Sequence, residues 1–202
     1  MMNPPKVFLD YSSLYKEHGF SLYMIGGTSR DYLLGLPVND LDFVTDATPE
    51  EERTFLDNAN FTFAKYGSIH IDCKPHSIDV TTFREEGGYD DHRHPQSIRF
   101  IRDMKADSLR RDFTINAIYV DAEGKIYDFH DGLSDLEKGI IRFIGDPRTR
   151  IKEDPLRILR AERFAKRLGF RIDEASQKAI DELRGELDYL NPEKVLMESK
   201  KS

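Results

Sequence analysis

Short runs of alternating hydrophobic and polar residues, punctuated by Gly and Pro, dominate the chain up to about residue 150. Residues 10–18 read as a helix stopped by Gly19, and 20–25 as a strand broken by Gly26-Gly27. A helix is expected at 29–34, closed by Gly35 and Pro37. In 40–45, Leu41 and Phe43 face one way while Asp40 and Asp42 face the other, the alternation of a half-buried strand. Residues 49–58 read as a helix, with Thr48 as cap and Pro49 at the first helical position. Strands are expected at 61–65, 69–73 and 77–84, the last two forming a hairpin around Lys74-Pro75. Residues 85–96, rich in Gly, His and charge, read as a mobile loop. A short strand at 98–101 and a helix at 105–116 follow, then strands at 117–120 and 126–128 around the Glu123-Gly124 turn. From Ile151 the period becomes helical, with helices at 155–168 and 174–187. The pattern therefore predicts an α+β fold: a mixed sheet with flanking helices over residues 1–145, then a helical segment over 146–202.

Composition narrows the class. A chain of 202 residues can bury a sizeable core without disulfides or a structural metal. Cys73 is the only cysteine, which excludes an intramolecular disulfide and a cysteine-built zinc site and makes the cytoplasm the simplest compartment. No apolar run approaches the roughly 18 residues of a membrane span, and residues 1–10 do not resemble a secretory leader. The net charge of -7 argues against a polyanion partner, but its distribution does not. Residues 142–171 hold ten Lys or Arg against four Asp or Glu. Such asymmetry suits a basic strip beside an acidic site, and equally a solvated helix face.

Four segments carry candidate chemistry. Asp40 and Asp42, at i and i+2 of a strand, point to one side. Two carboxylates a pleat apart repel unless a cation relieves them, and a divalent pair about 3.5–4 Å apart is the usual catalytic use. Oxygen ligands suit magnesium. The same pattern also serves as two solvated acids on an outer sheet face. Gly26-Gly27-Thr28-Ser29-Arg30-Asp31, between a strand and a helix, lets backbone N–H groups approach a phosphate. A tight turn needs those glycines too. Residues 110–117 combine two arginines, an acid, a hydroxyl and an amide that could hold a sugar and phosphates. In 153–163, Asp154 and Arg157 are neighbours at a helix start, an acceptor beside a donor, with Arg160 and Arg163 continuing a row of donors. Asp154 before Pro155 is also a good helix cap.

Together these segments resemble the class II tRNA nucleotidyltransferase (CCA-adding enzyme) and bacterial poly(A) polymerase family. Gly26-Gly27, Arg30-Asp31, Leu34-Gly35 and Asp40-x-Asp42 look like its first motif, and Arg110 to Ala117 its second. Asp128 to Arg142 looks like the third, Glu153 to Arg163 the base-template motif, and Asn191 to Glu198 faintly like the last. Ser29 departs from the usual small apolar residue.

The resemblance implies a polymerase-beta-like nucleotidyltransferase head followed by a helical neck. It places Gly26, Gly27 and Arg30 at the triphosphate, Asp40 and Asp42 on magnesium as a two-metal site, and Asp79 as a third catalytic acid. Arg111 would contact the nucleotide and Asp112 its ribose, while Asp154 and Arg157 would read CTP or ATP, with Arg160 and Arg163 near phosphates. The implied activity adds C and A to the tRNA 3′ end with release of pyrophosphate. An A-adding or poly(A)-forming enzyme, or a nucleotide- or RNA-binding module without turnover, is the alternative. Residues 84–96 resemble the family's flexible loop, whose presence favours A addition. The later body and tail domains of the family are expected to be absent. The chemistry fits the implied template: cytosine and adenine both place an amine donor beside a ring-nitrogen acceptor, so one Asp–Arg pair complements both. G and U invert that pattern and would leave buried groups unpaired, at about 1–3 kcal/mol each.

Overall fold

The computed structural model describes residues 3–38, 40–89 and 95–200, which form two interleaved compact units. The first comprises residues up to Glu86, then Ile98–Arg110 and Asn116–Phe129; the second comprises the described residues of Gly87–Ser97, Arg111–Ile115 and the chain from His130 onward.

In the first unit, α1 (Lys6–Glu17) precedes β1 (Leu22–Met24), α2 (Gly26–Leu33), β2 (Leu41–Thr45) and α3 (Pro49–Glu52). Then come β3 (Ala59–Asn60), β4 (Ser68–Cys73) and β5 (His76–Thr82). A ribbon of β6 (Arg84–Tyr89) and β7 (Pro95–Phe100) follows, then α4 (Met104–Leu109), β8 (Ile118–Val120) and β9 (Ile126–Asp128). Seven strands form one mixed sheet in the order β3-β4-β5-β2-β1-β8-β9. Its β2–β5 pair is parallel and its other pairs are antiparallel. Leu41 and Phe43 of β2, Ile78 and Val80 of β5, and Ile69 and Ile71 of β4 enter one core cluster with Phe8 and Tyr15 of α1. That burial pins the register, because a one-residue slip would turn every apolar side chain to water.

Several sequence expectations are corrected. The strand expected at 61–65 is absent: β3 ends at Asn60, whose side-chain oxygen accepts from the Thr62 N–H at 2.9 Å and hydroxyl at 2.7 Å, a local turn that outcompetes the ladder. A 3₁₀ turn spans Ala64–Tyr66 instead. The helix expected at 49–58 starts with the Thr48–Glu51 capping box but stops at Glu52, where the Thr54 hydroxyl bonds back to the Glu51 carbonyl at 2.7 Å. The loop expected at 85–96 is a paired ribbon on both described sides, and its centre, 90–94, lies outside the described residues. The helix expected at 105–116 ends at Leu109, and a 3₁₀ turn holds Thr114–Asn116.

Gly67 closes the Ala64–Tyr66 turn at φ +76°, and a Cβ there would stand 2.7 Å from Phe100 Cε1. Gly67→Ala therefore combines backbone strain with a clash. We expect a loss of about 1–3 kcal/mol, read as a lower Tm in thermal denaturation; an unchanged Tm would mean that Phe100 yields freely.

The second unit contains α5 (Gly132–Lys138), β10 (Ile140–Ile141), α6 (Pro147–Glu153), α7 (Leu156–Leu168), β11 (Arg171–Ile172), α8 (Glu174–Leu183) and α9 (Pro192–Lys200). Strands β10 and β11 pair in parallel. The Phe113 ring lies 4.9 Å from Phe143 and 5.8 Å from Phe164. The helix expected at 174–187 is α8 followed by a 3₁₀ segment, Arg184–Tyr189. Among the described residues, no helix is long and apolar enough to cross a membrane.

Candidate active site

Helix α2 begins three residues earlier than the pattern suggests, so Gly26 and Gly27 form its first turn. Gly26 sits at φ +64°, a conformation an L side chain adopts only with strain, and a Cβ there would lie 3.5 Å from Asp42 Oδ2. The positive φ, rather than lack of room, is what calls for glycine at this helix start, which lies beside that carboxylate. Thr28, buried in the same turn, locks the acid segment: its hydroxyl donates to the Asp40 carbonyl at 2.9 Å and accepts from the Asp42 N–H at 2.7 Å.

Strand β2 starts at Leu41, not Asp40; Asp40 is the exposed residue just before it, and Asp42 is half-buried within it. On the parallel partner β5, Asp79 stands in register with Asp42. On β4, His70 stands in register with Asp79, and its Nδ1 lies 2.8 Å from Asp79 Oδ1. A row of His70, Asp79 and Asp42 therefore crosses three strands opposite the face that buries Ile69, Ile71, Ile78, Val80, Leu41 and Phe43. Asp40 and Asp42 carry hard oxygen donors, the donor type that suits a hard divalent cation. Among the described residues, no group of three or more His, Cys, Asp or Glu is arranged to hold a metal ion.

Arg30 is only 1% exposed. Its Nε donates to Asp31 Oδ1 at 2.8 Å and its Nη1 to Asn116 Oδ1 at 2.9 Å. Its Nη2 lies 3.5 Å from where a Cβ on Gly27 would stand. The guanidinium therefore backs the glycine turn from inside the unit and does not project from it.

The second unit holds the other candidates. Asp154 ends α6 and is 7% exposed; its Oδ1 accepts from the Leu156 N–H at 3.1 Å and its Oδ2 from Arg160 Nη2 at 2.9 Å, while the N-cap position of α7 falls on Pro155 rather than on the expected Asp154. Arg157, on the first turn of α7, donates from Nη1 to the Arg150 carbonyl and to Glu153 Oε2, both at 2.7 Å. Arg160 Nε lies 3.3 Å from Asp112 Oδ2, so Asp112 and Asp154 share one arginine. Burial lowers the Arg160 pKa but Asp112 and Asp154 outweigh it, and the net shift is upward. Arg163 Nη2 reaches Glu198 of α9 at 3.2 Å. The half-buried Arg111 has its carbonyl held by Arg150 Nη2 at 2.8 Å. The Nε–H groups of Arg157 and Arg163 are buried and meet no hydrogen-bond acceptor among the described residues.

Thr28, Asn116, Glu153 and Glu198 lie inside the segments that the sequence singles out, whereas His70 left no local signal and arrives through its register with Asp79.

The family model described as Poly A polymerase head domain matches residues 22–142. The chain is 41% identical over 186 residues to the CCA-adding enzyme of Staphylococcus saprophyticus, covering 92% of this chain and 47% of that protein. It is 38% identical over 200 residues to that of Leuconostoc mesenteroides, covering 98% and 50%. Among solved structures, the Bacillus stearothermophilus CCA-adding enzyme in complex with CTP superposes with a TM-score of 0.88 at 34% identity, over 98% of this chain and 48% of that one. A tRNA nucleotidyltransferase complexed with a primer tRNA and an incoming ATP analog gives 0.74 at 32%, over 94% and 54%. The chain spans about half the length of the curated relatives it matches. With the head-domain match over most of the chain and the glycine turn beside the paired acids, this chain belongs to the family of tRNA nucleotidyltransferases and poly(A) polymerases that share this head domain.

Proposed function

We propose that the chain carries the nucleotidyl-transfer machinery of a CCA-adding enzyme, which extends the tRNA 3′ end from CTP and ATP and releases pyrophosphate. The observation that carries this reading is the placement of Asp42 against the Gly26 turn and in register with Asp79. Relatives solved with CTP, with ATP, and with primer tRNA and an ATP analog support the substrate classes. Asp40 and Asp42 would hold magnesium, which when bound as a pair activates the primer hydroxyl and steadies the leaving phosphate. The α2 first turn would donate its backbone N–H groups to phosphate oxygens, with the Arg30 charge behind it. Thr28 keeps the backbone of Asp40 and Asp42 fixed while charge develops. We name residues 1–145 the catalytic head and 146–202 the neck by their order along the chain. The single, unpaired Cys73 suits a cytoplasmic enzyme.

In the neck, the Asp154 carboxylate would accept from the base amine and the Arg157 guanidinium would donate to the ring nitrogen. Glu153 and the Arg150 carbonyl hold Arg157 in place, so the pair is preorganised. Arg111 and Asp112 would contact the nucleotide and its ribose, with Arg160 and Arg163 toward the phosphates. Asp154→Ala is expected to reduce the preference for C and A over G and U by about tenfold to a hundredfold, with a smaller change in triphosphate affinity. The assay incubates tRNA lacking its 3′ end with magnesium and each nucleotide, singly and mixed, and sequences the products. Unchanged preference would remove the template role; failure of the unaltered chain to extend any tRNA would overturn the proposed activity.

A further inference from the structure

We infer that His70 is a positioning residue for the acid row: it holds Asp79 in place beside Asp42 and so supports binding of a divalent cation. This inference rests on the proposed nucleotidyl-transfer site. A carboxylate can only accept, so the His70 Nδ1–H donates to Asp79 Oδ1 at 2.8 Å. Among the described residues, Asp79 Oδ2 takes no hydrogen bond, so one oxygen is anchored and the other stays available as a donor.

The anchor has a specific task. Asp79 and Asp42 are register partners on parallel neighbouring strands. Side by side on one face, the two carboxylates repel each other, and without an anchor the exposed Asp79 would swing toward solvent. Freezing such a side chain costs roughly 1 kcal/mol of rotamer entropy on binding an ion. A hydrogen bond already made in the free protein removes part of that cost. His70 can make it because Ile69 and Ile71 on either side are buried, which fixes the face of β4 from which the imidazole projects. The pair itself is too exposed to stabilise the fold much, with side chains 41% and 55% accessible, so its effect is orientation rather than stability.

The experiment titrates Mn²⁺ into the full chain and follows free ion by electron paramagnetic resonance, for the unaltered protein and for His70→Ala, His70→Asn, Asp79→Asn and Asp42→Asn. In parallel, nucleotide incorporation is measured against magnesium concentration. His70→Ala should weaken Mn²⁺ binding by up to about tenfold and raise the half-saturating magnesium concentration to match. Its Tm should stay unchanged. His70→Asn should restore most of the affinity, because its amide nitrogen stands near the position of Nδ1. Normal Mn²⁺ binding by His70→Ala alongside weakened binding by Asp79→Asn would overturn the role of His70 and leave the transfer site standing. Failure of His70→Asn to restore affinity would also overturn it. Normal binding by Asp42→Asn would instead remove the metal reading of the site.

Discussion

Asp42→Asn should reduce nucleotide incorporation by about three orders of magnitude or more while leaving the fold intact. The substitution keeps the side-chain shape and removes only the charge and one acceptor. The strand around it is held by Leu41 and Phe43 in the core and by the backbone bond to Thr28. The charge is opposed by Asp79, its register partner, so its loss should change Tm little. Loss of turnover with preserved stability is the pattern of a group retained for chemistry. Asp40→Asn should behave similarly. Incorporation by Asp42→Asn within tenfold of the unaltered chain, measured with a shortened tRNA and CTP at saturating magnesium, would show that the pair is not the metal site.

The second large effect concerns Glu52 and stability. This residue ends α3 fully buried, with one oxygen accepting from the Tyr15 hydroxyl at 2.5 Å and the other meeting no hydrogen-bond partner among the described residues. Burial is the main reason its pKa is pushed up to about 8; the Tyr15 hydrogen bond opposes the shift, and Glu51 and Glu50 reinforce it. Burial and Glu52 together push the Tyr15 hydroxyl far up as well, so it remains a donor. Below the unfolded value of 4.5 both states hold the proton and the stabilising contribution is complete. Between 4.5 and about 8 the unfolded chain releases the proton while the folded chain keeps it, so stability falls as pH rises. The loss across that window is on the order of 4 kcal/mol. Glu52→Gln keeps the acceptor for Tyr15 and abolishes the titration. Urea denaturation at a series of pH values should therefore show the unaltered chain losing stability relative to Glu52→Gln from about pH 5 to 8, then running parallel above. Parallel curves throughout would mean that Glu52 ionises normally inside the fold.

How much of this was readable depended on the range of the interaction. Strand 126–128 matches β9, and helix 155–168 matches α7 within a residue, because local periodicity and flanking breakers suffice there. The Asp40–Asp42 pair and the glycine turn were legible as neighbours in sequence. The contact of Asp42 with the Gly26 backbone was not, since it depends on a positive φ and on Thr28 bridging two segments. Strand 61–65 misled because Phe61 and Phe63 alternate as a strand would, yet Phe63 is largely exposed and Asn60 turns the chain. Arg160 and Arg163 read as a row of donors, but the acids they meet, Asp154 and Glu198, were not legible as their partners. A charge pattern reveals donors without revealing their partners.

The parallel pairing of β2 with β5 has a consequence for how the acidic centre comes into being. Asp42 and Asp79 are separated by a whole excursion through α3, β3 and β4, and only the completed sheet makes them neighbours. The pair therefore exists only where that long excursion is closed and β5 lies beside β2, so the site depends on the sheet as a whole and not on either local segment.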